Sequence, residues 1–437
     1  MTTRASRAYD ILLVGATGFT GSKCAKYLLK HAPAGTKVAL CGRSRSKLET
    51  LREKLAAELP SAAELAVVVA DTADQAAVDA AVSQARVVLA TAGPFYRLGT
   101  SVVDACARFG TDYVDITGEY EWVRSMHRRY NAVAERSGAL IVPFCGFDSL
   151  PSELGSLMVA DAFRRRYGSD PDEVRHSVVH IKGEPSGGTL ETMMSVFSGE
   201  APRSIKASEK EYFTRTPISP KAAASEAVKA VVKTGPKRGT FHWDADVERW
   251  QGIFLMSNIN IPAVRWSCRL RSVYQNGPNY AYAETQSYGS LFKAIQVAAI
   301  LATFGFLASF GLGRWILNRI LPAPGQGPSD ENIAKGSYKG VFIAEKKSEQ
   351  AGEAPLKVRG HVYADSDPGY GETVRYVCES ALCVLNKRTE LPLQAGVSPP
   401  GYGLGLALLG HLRSVGCDFS VDDIGSGATS SPKPSRL

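Results

Sequence analysis

The sequence predicts an α/β fold: an N-terminal Rossmann-type parallel sheet followed by a second, mixed α+β domain. Three observations carry that expectation. A short apolar run, Tyr9 to Val14, ends in Gly15-Ala16-Thr17-Gly18-Phe19-Thr20-Gly21 and continues as an amphipathic segment to about Lys30, which is the order of strand, glycine turn and helix that a dinucleotide site needs. Short apolar runs then alternate with helical stretches as far as residue 150, the pattern of a parallel sheet. Beyond Pro151 polar and apolar residues alternate within the runs, the mark of a sheet with one open face.

A chain of 437 residues exceeds one ordinary core, so two domains are expected. The reading is a dinucleotide-binding domain at 1–150, a second domain at 151–365, a segment at 366–423 returning to pack on the cofactor domain, and a loose Ser/Gly/Pro-rich tail at 424–437. A hydrophobic share of 44% and a charged share of 22% fit a folded protein. The net charge of +8 favours anionic partners such as phosphates or acidic headgroups. Its basic clusters, Arg124/Arg128/Arg129, Arg164–Arg166 and Lys233/Lys237/Arg238, are scattered and lack interleaved aromatics, so no nucleic-acid partner is expected. The eight cysteines form no C-x-x-C pair and have no histidines at zinc spacing, which predicts a reduced intracellular protein without a metal site. Met1 to Asp10 carries no apolar run, so no secretory signal is expected.

Within the glycine turn each residue has a separate task. Gly15 permits the tight turn, Gly18 lets the backbone approach a pyrophosphate, and Gly21 lets helix and strand pack closely, with Thr17 and Phe19 between them. The helix start then offers free amides and a partial positive charge to the phosphates. The second strand, Lys37 to Cys41, lacks the acidic residue that would hold the ribose hydroxyls of NAD(H). It runs instead into Gly42-Arg43-Ser44-Arg45-Ser46-Lys47. Arg43, Ser44 and Lys47 suit a 2′-phosphate, which favours NADP(H) over NAD(H); the alternative is a solvated basic loop.

Leu65 to Ala70 reads as the third strand, with Asp71 at its carboxyl end meeting the adenine region. Arg86 to Ala90 reads as the fourth, closing on Thr91-Ala92-Gly93-Pro94-Phe95, where Ala92, Gly93 and Pro94 let the chain pass along the cofactor. Tyr113 to Ile116 and Leu140 to Pro143 continue the series. Ligands sit at the carboxyl ends of such strands, so Thr117-Gly118-Glu119 and Phe144 to Pro151 are expected on the nicotinamide and substrate side. Tyr96, Asp148 and Ser149 are candidate catalytic residues there; Asp148 reads equally as a helix N-cap. No tyrosine has a lysine four residues later, so the acid–base pair of short-chain dehydrogenases is missing and the proton must come from elsewhere.

These motifs resemble those of the saccharopine dehydrogenase-like oxidoreductases, the branch that includes the mycobacterial trans-acting enoyl reductases. The matching stretches are Gly15 to Gly21, Gly42-Arg43, Ala92 to Phe95, Asp112 to Glu119, Gly146 to Ser152, Ser186 to Thr189, Leu321 to Gly325 and Asp367 to Tyr370, in order along almost the whole chain. The resemblance implies a Rossmann domain followed by a mixed α/β domain and, for some relatives, association with membranes or lipid droplets. One stretch departs: Ala395-Gly396-Val397-Ser398-Pro399-Pro400 stands where the family pattern is Gly-Gly-Val-hydrophobic-Thr-Pro.

In the second domain Val174–Lys182, Tyr280–Gln286, Tyr338–Glu345 and Val358–Ala364 read as strands, Gly187-Gly188-Thr189 as a turn before a helix to Phe197, and Gly369–Leu385 as a helix. Leu291 to Leu321 stands apart. No charge lies between Lys293 and Arg314, a gap of roughly 30 Å as a helix. Its polar residues and glycines predict a monotopic helix or short hairpin on a membrane or lipid droplet at the cytoplasmic face, with Trp315, Arg314 and Arg319 at headgroup level; the alternative is a helix buried in the core or in a homodimer interface. The leading functional expectation is an NADP(H)-dependent oxidoreductase of a lipid-linked or apolar small-molecule substrate. A non-catalytic NADP(H)-binding lipid-surface scaffold ranks second, and a saccharopine reductase third, because few arginines flank the expected nicotinamide position.

Overall fold

Ile11, Leu12, Leu13 and Val14 are all buried, so this strand has no solvent face, as a parallel sheet covered by helices on both sides requires. The computed structural model describes residues 6–184, 193–194, 197–200, 203, 238–321, 327–348 and 352–422. The turn at Gly187-Gly188-Thr189, Ser186, Pro322 to Gly325, Lys233, Lys237 and the tail 424–437 lie outside them.

In the first half the strands are β1 (Tyr9–Val14), β2 (Val38–Gly42), β3 (Ala66–Val69), β4 (Ala85–Ala90), β5 (Asp112–Asp115) and β6 (Leu140–Val142). Then come β7 (Glu173–Lys182), β8 (His242–Asp244), β9 (Arg249–Gly252), β10 (Ala281–Tyr288), β11 (Ser337–Lys346), β12 (Leu356–Ala364), β13 (Gly396–Val397) and β14 (Asp418–Val421). The first sheet runs β13-β6-β5-β4-β1-β2-β3, with every pairing parallel. Alternate residues enter opposite layers: Ile11, Leu13, Leu40 and Leu89 pack on one face, and Leu12, Val14, Cys41 and Val88 on the other. The second sheet runs β14-β12-β11-β7-β10-β9-β8. Its β7–β10 pair is parallel, and the remaining described pairs are antiparallel.

Two helices join the sheets. Leu150–Tyr167 is buried over most of its length, because it lies between elements rather than at the surface. It packs against β7, β11 and β12 and against the helix Ser257–Tyr274. Gly155 makes the approach to β11 possible, since a Cβ there would come within 2.4 Å of the Phe342 ring. Gly155→Ala is therefore expected to cost about 1–3 kcal/mol through overpacking, read as a lower urea midpoint with an unchanged slope.

The C-terminal segment divides between the two sheets. A π-helical turn, Pro368–Glu372, leads into the helix Thr373–Asn386, which packs on the helix Phe19–His31 and on β4 and β5. β13 extends the first sheet beside β6, whereas β14 pairs with β12 in the second. Arg388 ties this region down, donating to Asp112 Oδ2 at 3.0 Å and to the Gly138 carbonyl at 3.2 Å. At the stretch that departs from the family pattern, Gly396 is the residue with positive φ, +122°. The glycine that the backbone needs is thus kept, and Ala395 stands where an L side chain is tolerated.

Candidate dinucleotide and substrate site

The glycine turn closes on itself through its own main chain. Gly15 adopts φ +84°, and a Cβ there would lie 2.8 Å from the Ala92 nitrogen. Gly18 N–H donates to the Gly15 carbonyl at 2.9 Å, and a Cβ on Gly21 would sit 2.2 Å from that same oxygen. Thr91 Oγ1 donates to the Val14 carbonyl at 3.1 Å, fastening the end of β4 to the turn. The helix Phe19–His31 is capped by Gly18 with no side-chain hydrogen bond, so its first amides are left to an anion. Thr17 and Gly18 are exposed beside them. These residues fit a diphosphate: Gly15 and Gly21 stand where a Cβ would strike Ala92 or the turn's own carbonyl, and Thr17 and Gly18 at the helix start are exposed.

Phe19 is the first residue of the helix Phe19–His31. Its ring meets Tyr370 edge-on at 5.0 Å and lies where a Cβ on Gly327 would fall at 2.6 Å. Chain from the second domain, at Gly327, and from the C-terminal segment, at Tyr370, thus covers the first turn of the helix.

One strand over, Ser44 caps the helix Arg45–Glu58, its Oγ accepting from Lys47 N at 3.5 Å. Arg43 and Lys47 are exposed at this helix start, and Arg45 turns to Glu49 at 3.7 Å. A phosphate placed here meets guanidinium, ammonium and helix dipole together. Asp71 is exposed at the end of β3 and caps its own turn, accepting from Ala73 N at 3.0 Å.

At the ends of β4, β5 and β6 buried carboxylates hold the loops. Glu119 accepts from the main-chain amides of Phe95 and Tyr96, both at 2.7 Å, fixing the loop after the cis Gly93–Pro94 bond. Burial lifts its carboxyl to about 7, although the two amides oppose the shift. Asp115 accepts from Thr117 N at 3.0 Å, Phe144 N at 3.1 Å and Tyr113 Oη at 2.8 Å, and burial raises it to about 7 as well. Phe144 has φ +67°, a conformation costing a β-carbon residue about 1–3 kcal/mol, of the kind stored at functional loops. Asp115 bonds this turn twice, its carboxylate accepting from Phe144 N at 3.1 Å and its carbonyl from Cys145 N at 2.8 Å.

Asp148 follows on the same loop. It is half-buried, and its Oδ2 lies 3.5 Å from where a Gly118 Cβ would be, beside the loop after β5. Burial lifts its carboxyl to about 6. The helix Leu150–Tyr167 begins after Ser149 with no side-chain cap bond, so Asp148 is not spent as a cap. Ser149 is turned inward instead, 1% exposed, and donates to Asn260 Oδ1 at 2.9 Å. Tyr96 is half-buried; its hydroxyl reaches Glu200 Oε1 at 3.4 Å, and Glu200 also pairs with Arg97. The structure thus gathers Gly15 to Gly21, Ala92 to Pro94, Tyr96 and Asp148 along the carboxyl edge of the first sheet. Glu119, Asp115 and Asn260 complete it. Glu119 stood in a loop already singled out, but its partners are backbone amides that no side-chain pattern announces.

Residues 11–142 match the model of the saccharopine dehydrogenase NADP binding domain. A putative trans-acting enoyl reductase of Mycobacterium tuberculosis is 32% identical over 434 residues, spanning 97% of this chain and 100% of the relative. A trans-acting enoyl reductase of Mycobacterium ulcerans is 30% identical over 435 residues, spanning 95% and 98%. Among solved structures, apo saccharopine dehydrogenase (L-Glu forming) from Saccharomyces cerevisiae aligns over 95% of this chain and 99% of its own, with a TM-score of 0.53 and 13% identity, a likeness of fold alone. Fold and site define a dinucleotide-dependent oxidoreductase with NADP(H) as its cofactor. The chain belongs to the saccharopine dehydrogenase-like family, alongside the trans-acting enoyl reductases.

Proposed function

We propose that this protein is an NADPH-dependent reductase of the carbon–carbon double bond in a lipid-linked or otherwise apolar enoyl substrate, working at a lipid surface. The observation that carries the reading is an exposed apolar helical pair packed on β9 and β10 of the second sheet. Leu291–Ser309 and Gly311–Ile320 meet at Phe310 and pack so closely that a Cβ on Gly313 would lie 2.1 Å from the Leu307 carbonyl. Of the first helix only Ala294 and Ala308 are buried, while Phe292 is 77%, Ile300 60% and Phe306 68% exposed. The helix is long and apolar enough to cross a membrane by length and composition, yet the short second helix and its basic Arg314 and Arg319 favour a hairpin lying in one leaflet. Arg319 sits 4.0 Å above the Trp315 ring, a pairing suited to headgroup depth. From this hairpin Phe197 leads back: its ring stands edge-on to Phe304 at 5.9 Å and over Gly305, and Glu200 contacts Tyr96 and Arg97. An acyl chain leaving the lipid would meet the crevice along this side.

Bound NADPH supplies the hydride. The chain's own part is to present one face of the substrate to it and to deliver one proton. Glu119 fixes the Phe95–Tyr96 backbone on one wall, Gly118 leaves space on the next, and Asp148 donates the proton to the carbon adjacent to the one that receives hydride, so one proton and one hydride saturate the bond. The names of the relatives support the enoyl substrate, and the exposed hairpin supports its lipid attachment and a membrane or lipid-droplet location. NADPH consumption with trans-2-enoyl thioesters of increasing chain length tests the reaction; turnover should rise with chain length. NADPH binding with no turnover on any of them would favour a scaffold.

The surface reading has its own test. Replacing Phe292, Ile300 and Phe306 by serine removes about 1.5–3 kcal/mol of burial per side chain, so co-flotation with phosphatidylcholine vesicles should fall by at least about tenfold per residue while NADPH affinity holds. A wild-type chain that never floats with vesicles contradicts the proposal.

A further inference from the structure

A buried polar network crosses from the β6 loop into the second sheet, and no step above uses it. Asn260, 1% exposed, lies in the first turns of the helix Ser257–Tyr274. Its Oδ1 accepts from Ser149 Oγ at 2.9 Å. Its Nδ2 donates to Ser152 Oγ at 3.3 Å and to Glu284 Oε1 at 3.2 Å. Glu284 Oε1 also accepts from Ser152 Oγ at 2.7 Å and lies 2.8 Å from His176 Nδ1. His176 Nε2 in turn lies 2.8 Å from Tyr338 Oη, and the Tyr282 hydroxyl lies 3.3 Å from Nδ1. Gly340 makes room for this end, since a Cβ there would fall 2.4 Å from Tyr338 Oη.

An amide is suited to the central place. It presents an acceptor to Ser149 and a donor to Glu284 at once, and in a dry interior each missing partner is costly. The neighbouring Ile259 reaches the same loops: a Cβ on Gly118 would lie 3.3 Å from its Cδ1 and 3.5 Å from Asp148 Oδ2. One helical turn of the second domain therefore grips both walls of the crevice, Gly118 through Ile259 and the Asp148–Ser149 turn through Asn260.

We propose that Asn260, anchored by Glu284, is the positioning residue that holds the Asp148–Ser149 turn with the Asp148 carboxyl facing the crevice beside Gly118. The inference rests on the reading of Asp148 as proton donor for its consequence in turnover, but the positioning itself is measurable without turnover. Asn260 does not touch the reacting atoms; it acts through Ser149.

Two variants and two readouts decide it. Asn260→Ala releases Ser149, so the carboxyl resonance of isotope-labelled Asp148 should titrate nearer the ordinary aspartate range than its position of about 6, and kcat for a trans-2-enoyl thioester should fall at least about tenfold with the Kd for NADPH unchanged. Asn260→Asp is isosteric and, while protonated, keeps both an acceptor for Ser149 and a donor to Glu284. Its kcat divided by that of the wild type at the same pH should approach one at low pH and fall as its own carboxyl ionises beside Glu284, whereas general loosening of the fold lowers that ratio without this pH dependence. Should Asn260→Ala not fold, Ser149→Ala cuts the same link. A folded Asn260→Ala that binds NADPH and leaves both the Asp148 titration and kcat unmoved overturns the proposal. A wild type inactive on every enoyl probe, with the Asp148 titration still displaced in the variant, upholds the positioning and defeats the proposed reaction.

Discussion

Arg43→Ala lowers the affinity for NADPH by about 10- to 100-fold, as expected for losing a charge-assisted bond of about 1.5–3 kcal/mol, and leaves NADH affinity nearly unchanged. The guanidinium is exposed at the end of β2, where the helix Arg45–Glu58 begins under the Ser44 cap, and a carboxylate that would repel a 2′-phosphate is missing from Gly42 to Lys47. The remaining contacts, helix amides and Lys47, still favour the phosphate, so preference for NADPH shrinks without inverting. Nicotinamide fluorescence titrations with both nucleotides, repeated at raised salt, measure it. The wild-type advantage for NADPH should also fall with salt, because the contact is at the surface. Equal losses for the two nucleotides would place the 2′-phosphate elsewhere.

Asp148→Asn is expected to lower kcat by about 10²- to 10⁴-fold, the range for losing a general acid, with little change in NADPH affinity. In the wild type the acid form must be present. Burial lifts this carboxyl to about 6, so kcat is highest below that pH and declines as pH rises through it. Stability follows the same group with a definite sign. Its folded pKa lies above the unfolded value, so the native state holds the extra proton between the two, and stability is lost as pH rises across that window. At neutral pH Asp148→Asn should therefore be the more stable protein while being the less active one, as a residue kept for chemistry would behave. An urea titration beside the pH–rate profile checks both halves.

The cradle was legible in the sequence because its constraints are steric. Gly15, Gly18 and Gly21 stand where any Cβ meets the main chain of the turn or of β4, and composition alone reports such a need. The position of Arg43 at the end of β2 was legible because the apolar run Val38 to Cys41 stops just before it. The ring of Phe19 was not, because its partners Tyr370 and Gly327 lie over 300 residues away. The same holds for Glu119, whose carboxylate bonds to backbone amides 23 and 24 residues earlier. The helix Ser257–Tyr274 hid behind Pro262 inside it, and with it Asn260. β8 and β9 are short strands of four residues or fewer, too brief to show a period. Ser149 was placed on the substrate side by its position after β6, and only the buried amide of Asn260 reveals that its hydroxyl points inward.

The proposed reaction requires hydride transfer from cofactor to substrate in the crevice at the ends of β4 to β6. Stereospecifically deuterated NADPH, incubated with a long-chain trans-2-enoyl thioester in the presence of vesicles, tests this most directly by mass spectrometry of the acyl product. A saturated product carrying one deuterium from the nucleotide is predicted, and it should vanish with Asp148→Asn. Tight NADPH binding with no deuterium in any acyl product would contradict it.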